Sequence, residues 1–255
     1  MAGKADQSTL ADKLVEALNH DRFILYRQLI QPIAPFSDDC VFQEILVRYI
    51  EEEEKYVYPG AFFPILESYD LMYMLDRWVV NRVIRWFLAK YTVRHGWSAT
   101  RCTINLSGTS VSRAGFPGFV KEQLQTSRLP PDRMSFEVAE PDAEAHAVAL
   151  EHLIAELQPL GCTFILTSYE GEHAPADLLQ ALGVNFVKID GGIIRSIHQD
   201  SASAARAASI HDMCRSLNIR TIGEFVEHQE TLEILKQIGI NYAQGYGIAM
   251  PERLV

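Results

Sequence analysis

Six short apolar runs in this chain carry a side chain that could hold a cation or a phosphate. Glu44 lies within Phe42-Gln43-Glu44-Ile45-Leu46, Asn105 closes Cys102-Thr103-Ile104-Asn105, and Glu137 sits in Phe136-Glu137-Val138. Lys188 and Asp190 share Val187-Lys188-Ile189-Asp190, Glu224 ends Thr221-Ile222-Gly223-Glu224, and Gln244 lies in Ala243-Gln244-Gly245-Tyr246. Taken singly, each is most simply a strand-end polar group satisfied by a local bond. Charged side chains on buried strands are rare unless they are paired or coordinating. If the six runs converge on one mouth, their carboxylates, amides and ammonium make a site for a divalent cation, a phosphate, or both.

Convergence needs a scaffold that gathers strand ends. β-rich runs fall at Phe23–Ile33, Val41–Ile50, Thr100–Ser107, Met134–Ala139, Cys162–Ser168, Asn185–Asp190, Ile219–Glu224 and Tyr242–Gly247. Several are almost continuously apolar, as strands buried on both faces of a parallel sheet are. Between them, Leu71–Tyr91, Ala143–Leu157, Ser203–Leu217 and Gln229–Ile238 have the apolar spacing of amphipathic helices. The alternation predicts an α/β fold, a TIM-type (β/α)8 barrel whose polar site sits at the C-terminal strand ends. No helical stretch separates Phe23–Ile33 from Val41–Ile50, so a hairpin there would make the first strand antiparallel. The length of 255 residues fits one such domain, 1–255.

A composition of 48% hydrophobic and 22% charged residues excludes a disordered chain. With 23 Lys and Arg against 33 Asp and Glu, the net charge is -10, which argues against general nucleic-acid binding or attachment to anionic membranes. No apolar run reaches the roughly 18 residues of a membrane span, and the first twenty residues have no secretory core. Cys40, Cys102, Cys162 and Cys214 are widely spaced, which fits reduced core thiols of a cytoplasmic protein and no zinc site. Glu51 to Glu54 are expected to form a solvated turn. His95, His146, His152, His198, His211 and His228 show no metal-ligand spacing and are expected at the surface. Tyr69, Tyr73 and Trp78 are expected to pack or to form a dimer contact.

The polar runs, in this order and spacing, resemble the EAL domain family, whose barrel hydrolyses cyclic di-GMP. The signature position reads Glu44-Ile45-Leu46-Val47-Arg48, with Ile in place of the middle Ala. Tyr26-Arg27-Gln28-Leu29-Ile30 resembles Y-x-Q-P-I, and Pro59-Gly60-Ala61-Phe62-Phe63-Pro64 resembles S-P-x-x-F-I-P. Asn105-Leu106-Ser107, Phe136-Glu137-Val138-Ala139-Glu140, Lys188-Ile189-Asp190, Glu224-Phe225-Val226-Glu227 and Gln244-Gly245-Tyr246 complete the likeness, which runs from about Leu10 to Pro251. The resemblance implies two magnesium or manganese ions, with Glu44, Asn105, Glu137 and Glu224 as metal ligands and Lys188 beside the attacking water. It also implies Gln28, Glu44, Leu46, Arg48, Asn105, Lys188, Asp190, Glu224, Glu227 and Gln244 as the ligand-binding set. Glu140 matches a glutamate that anchors the loop after the fifth strand of the family's barrel, a loop that couples the metals to dimerisation.

The sequence departs from the family at that strand. Where two metal-binding aspartates are expected, Leu166 is followed by Thr167 and Ser168, and the loop reads Tyr169-Glu170-Gly171-Glu172-His173. Neutral hydroxyls are poor substitutes for carboxylates at a hard cation. The expectation is therefore a degenerate, non-catalytic EAL domain with its metal site lost and no cofactor, Lys188 and Glu44 being vestigial catalytic residues. Such a domain would be cut from a longer signalling protein and act as a cyclic di-GMP receptor or a protein-interaction module. Homodimerisation through helices near the mouth, or a signalling protein partner, would follow from the resemblance. Two alternatives stay open: a metal-dependent phosphodiesterase with a rearranged site using Glu170, Glu172 or His173, and a structural or dimerisation barrel that binds no nucleotide.

Overall fold

The computed structural model describes residues 4–20, 22–33, 41–51, 56–90 and 100–255; Cys40, His95 and Glu52 to Glu54 lie outside them. The strands are β1 (Phe23–Pro32), β2 (Val41–Ile50), β3 (Tyr56–Val57), β4 (Thr100–Leu106), β5 (Met134–Ala139), β6 (Thr163–Tyr169), β7 (Phe186–Ile189), β8 (Arg220–Gly223), β9 (Tyr242–Ala243) and β10 (Glu252–Arg253). Neighbours from β2 through β4, β5, β6, β7 and β8 to β9 pair in parallel. β1 lies between β9 and β2, antiparallel to both, and closes the barrel. The expected TIM-type barrel with an antiparallel first strand is the architecture. β3 and β10, two residues each, extend β2 and β1 and had no clear signal in the sequence.

Helices cover the outside of the sheet. In the helix Met72–Lys90, Met72, Leu75, Val79, Val80, Val83, Ile84 and Phe87 form the buried stripe. Trp78 packs on Phe23 at 5.9 Å and Tyr73 on Phe116 at 6.2 Å, so both serve packing. The expected helix Ala143–Leu157 is two helices, Glu140–Ala145 and Ala147–Leu157, broken at His146 with φ -124° and ψ 29°. The start of the short helix Gly108–Ser112 fits into that break: a side chain at Gly108 would strike the ring of His146 at 2.9 Å. β9 stops at Ala243, short of the expected Gly247. Beyond it the chain folds onto Val226, which donates to the Gln244 carbonyl and accepts from the Gly247 amide. Gly245, at φ +157°, lies against the Val226 backbone, where a Cβ would clash.

Two apolar layers result. A large cluster fills the space between sheet and helices. A smaller one, Ile30, Phe42, Ile165, Phe186, Ile222 and Tyr242, plugs the inside of the barrel. Its rings meet edge to face, Phe42 with Phe186 at 5.0 Å and Phe42 with Tyr242 at 5.6 Å. Cys102, Cys162 and Cys214 are buried free thiols, as expected. His211 is a correction: it is buried, with its Nδ1 2.8 Å from the Thr221 hydroxyl. Its place on the inner face of the helix Ser201–Ser216 carries it under the surface. No helix among the described residues is long and apolar enough to cross a membrane.

Candidate functional site

The strand period of two builds the site directly on the inner plug. Moving two residues toward the C-terminal mouth takes Phe42 to Glu44, Ile165 to Thr167, Phe186 to Lys188, Ile222 to Glu224 and Tyr242 to Gln244. β1 runs the other way, so Ile30 is matched by Gln28, which stands opposite Glu44 in the β1–β2 register. Thr103 and Asn105 on β4 and Glu137 on β5 complete the ring, since Glu44 pairs with Thr103 and Asn105 with Glu137. An apolar layer inside the barrel thus carries a polar layer above it.

Lys188 stands at the centre of that layer. Its ammonium donates to Glu137 Oε2 at 2.7 Å and Glu44 Oε2 at 2.9 Å, and the side chain is 1% exposed. Glu137 accepts on its other oxygen from the Thr103 hydroxyl. Glu44 accepts from Asn105 Nδ2 at 2.8 Å and Gln244 Nε2 at 2.6 Å. Gln244 also donates to Gln28 at 3.2 Å, and Gln28 to the Ala249 carbonyl at 2.9 Å. Burial would raise the Glu44 carboxyl, but the Lys188 charge and the amide bonds outweigh it and hold Glu44 below the usual range. Glu137, fully enclosed and beside Glu44, is pushed up to about 7 by burial despite Lys188. Burial likewise raises Glu224. Lys188 is pulled down by burial and pushed further up by Glu137, Glu44 and Glu224, so it stays charged.

The departure on β6 has a geometry of its own. The β6–β7 register shifts between Leu166 and Tyr169, and Ser168, at φ 53°, adopts the left-handed region. Thr167 donates its hydroxyl to Glu224 Oε1 at 2.7 Å. An aspartate there would place a second negative charge against Glu224; the threonine makes a hydrogen bond instead. Phe225, directly after Glu224, is also left-handed, at φ 52°, and turns its ring into the mouth. Backbone strain of this kind gathers at working sites.

Above the polar layer lies a cavity of about 610 Å³. Of the residues expected to bind ligand, Gln28, Glu44, Leu46, Arg48, Asn105, Glu224, Glu227 and Gln244 line it. Lys188 and Glu137 lie just beneath. Asp190 is not among the residues lining it: it caps the helix Gly191–Ser196 by accepting from the Gly192 amide at 2.6 Å, near enough to Glu224 for its charge to act on that carboxyl. Sequence reasoning missed Arg195, which lines the cavity and stacks on Phe225 at 4.5 Å. A single arginine on a six-residue helix has no periodic signal to betray it. Close approach of the Phe225 ring requires Gly191, where a Cβ would collide with it.

The loop after β6 is held away from the cavity. Glu140 accepts from the backbone amides of Glu170 at 2.7 Å, His173 at 3.0 Å and Ala174 at 2.9 Å, so it anchors the changed loop too. Arg206 binds the Glu170 carbonyl at 3.0 Å and Glu172 at 3.1 Å, and His173 meets Glu144 at 2.8 Å. Glu170, Glu172 and His173 do not line the cavity.

A two-ion centre needs carboxylates free to bridge cations about 3.5–4 Å apart. Here Glu137 is engaged by Thr103 and Lys188, Glu44 by Asn105, Gln244 and Lys188, and Glu224 by Thr167. The ammonium of Lys188 lies between the carboxylates of Glu44 and Glu137 and donates to both. Among the described residues no group of three or more His, Cys, Asp or Glu is set to hold a metal. What the donor set lacks is carboxylate at β6, where Thr167 and Ser168 offer neutral hydroxyls, poor partners for a hard cation.

The chain resembles several known proteins. It is 31% identical over 250 residues to the cyclic di-GMP phosphodiesterase PdeF of Escherichia coli K12, covering 98% of this chain and 32% of that protein. It is 31% identical over 244 residues to the cyclic di-GMP phosphodiesterase PdeB of Shewanella oneidensis MR-1, covering 96% of this chain and 28% of that protein. The chain thus spans about a third of the length of these curated relatives. Among solved structures, the FimX EAL domain from Pseudomonas aeruginosa bound to c-di-GMP matches with TM-score 0.86 at 25% identity over 95% of each chain. The PaMucR phosphodiesterase in complex with c-di-GMP matches with TM-score 0.86 at 26% identity over 95% of this chain and 97% of that one. A model of the EAL domain family covers residues 11–251, and the chain belongs to that family.

Proposed function

We propose that this domain is a cyclic di-GMP receptor that binds the nucleotide without hydrolysing it. One observation carries the proposal: Lys188 bridges Glu44 and Glu137 while Thr167, in an expected aspartate position, donates to Glu224. The Lys188 ammonium and the surrounding amide and hydroxyl donors offset part of the carboxylate charge beneath the cavity, which lowers the obstacle to an anionic ligand. Glu137 is enclosed and pushed up to about 7 by burial, Glu224 is raised by burial, and Glu44 is capped by three donors. Arg48 and Arg195 both line the cavity and supply the cations a diphosphate ligand needs. The FimX EAL domain bound to c-di-GMP supports the ligand class. A receptor acts by passing its bound state to a partner protein or a second copy, so the same proposal covers the signalling role.

The relatives named phosphodiesterases, and the retained Glu44, Asn105, Glu137 and Glu224, favour metal-dependent hydrolysis as the competing reading. Calorimetric titration with cyclic di-GMP, in magnesium and in chelator, separates the two. The receptor binds equally in both, and Arg48→Ala weakens binding about tenfold. Absence of binding in both, or binding only with magnesium, contradicts the proposal.

A further inference from the structure

The helix Met72–Lys90 carries a charge opposite in sign to that of the chain. Its charged residues are Arg77, Arg82, Arg85, Lys90 and one acid, Asp76. Asp76 is buried and accepts from the Ser107 and Ser110 hydroxyls, each at 2.7 Å, so it offsets nothing at the surface. A surface helix usually sets acids three or four positions from its cations. This one presents cations alone, in a chain whose net charge is -10.

Between that helix, β1 and β10 runs a groove of about 420 Å³. It lies behind the barrel wall: Phe23 and Leu25 border it from the outer face of β1, whose inner face gives Gln28 to the site. Among the described residues it is lined by three arginines, Arg82, Arg85 and Arg253, by Trp78 and Trp86, and by no carboxylate. Arg82 lies over the Trp78 ring at 5.2 Å and Lys90 over the Trp86 ring at 5.5 Å. Trp86 donates its indole N–H to the Val255 carbonyl at 2.9 Å. Glu252, beside Arg253 in the chain, is paired with Arg27 at 2.6 Å. The exposed guanidinium groups of Arg85 and Arg253 make no ion pair among the described residues.

Arginine beside tryptophan is the composition of a protein-binding surface, and arginine clusters read acidic motifs. An extended polyanion or an anionic bilayer would also meet the acidic remainder of this surface and be repelled by it. A short acidic segment meets the groove alone, because charges beyond about 10 Å are screened. We infer that the groove receives an acidic, partly apolar segment of a partner protein, its carboxylates on Arg85 and Arg253 and its apolar side chains against Trp78 and Leu254. This surface is separate from the nucleotide cavity and does not depend on the receptor reading.

The test is fluorescence anisotropy at low salt with a short fluorescein-labelled peptide of alternating Glu and Leu. Wild type binds it, and added salt weakens the binding. The same peptide with Gln for Glu binds about tenfold more weakly, and Arg85→Ala with Arg253→Ala loses about tenfold toward the Glu peptide. Arg77→Ala, on the same helix but outside the groove, keeps wild-type affinity. Thermal midpoints stay at the wild-type value, because these side chains are exposed. No binding by wild type, or equal binding by the double arginine variant, overturns the proposal. So does an oligothymidylate or a phosphatidylserine vesicle that binds as tightly as the peptide and is lost in the double variant, since the groove would then be a general anion surface. A wild-type dimer in light scattering that becomes a monomer in the double variant also overturns it, because a second copy would then fill the groove.

Discussion

Lys188 is the residue on which the site turns. A buried ammonium held by two carboxylates is tolerated only while all three remain together, because removing one partner leaves uncompensated buried charge. Lys188→Met should therefore destabilise the domain by about 3 kcal/mol in urea denaturation. Adding Glu137→Gln should recover part of that loss, since it removes one of the stranded carboxylates; a second variant no more stable than the first would count against the pairing. Glu44, Lys188, Glu224 and Gln244 were legible in the sequence for a reason of geometry: each lies two positions along a strand from an apolar residue of the inner plug, while Asn105 and Glu137 stood out as polar groups within apolar runs. Arg195 and Phe225 lack that support. Both stand just past strand ends, where no periodicity applies, and their side chains are brought into the mouth by a short helix and a left-handed turn.

At the scale of elements, two devices tie a loop and a helix to the barrel. The loop after β6 hangs on Glu140, whose carboxylate satisfies three backbone amides. Glu140→Ala leaves those amides without their partner, and a cost of about 2–4 kcal/mol is expected. Hydrogen exchange should quicken at Glu170, His173 and Ala174 and not at distant strands; uniform acceleration would mean that the anchor is not local. The second device is His211, which ties the helix Ser201–Ser216 to β8 through Thr221. Burial holds the imidazole below its ordinary 6.5, Arg215 adding to the effect and Asp212 opposing it. A base depressed in the folded state contributes stability above the unfolded value of 6.5 and loses it as pH falls below that toward the folded value. Wild type should thus lose more stability than His211→Gln between about pH 7.5 and about pH 5; parallel loss in the two proteins would refute this. The burial of His211 was not legible, because a single histidine among polar helix positions looks like surface.

For the whole molecule, the barrel follows from alternation: near-continuous apolar runs become strands covered on both sides, and amphipathic runs become the helices that cover them. What the alternation could not supply was the break at His146, set by the approach of Gly108, or the early end of β9, set by the close pass of Gly245 over Val226. Both are contacts between segments distant in sequence. The same holds for the site, since the carboxylates Glu44, Glu137 and Glu224 of three strands acquire their meaning only when Lys188 and Thr167 are seen among them. The most direct measurement incubates equimolar protein and cyclic di-GMP with manganese, then separates the protein-bound nucleotide and resolves it by chromatography. Intact cyclic di-GMP is expected to stay bound to the protein after prolonged incubation. Linear dinucleotide product, abolished by chelator and by Glu44→Ala, would contradict it.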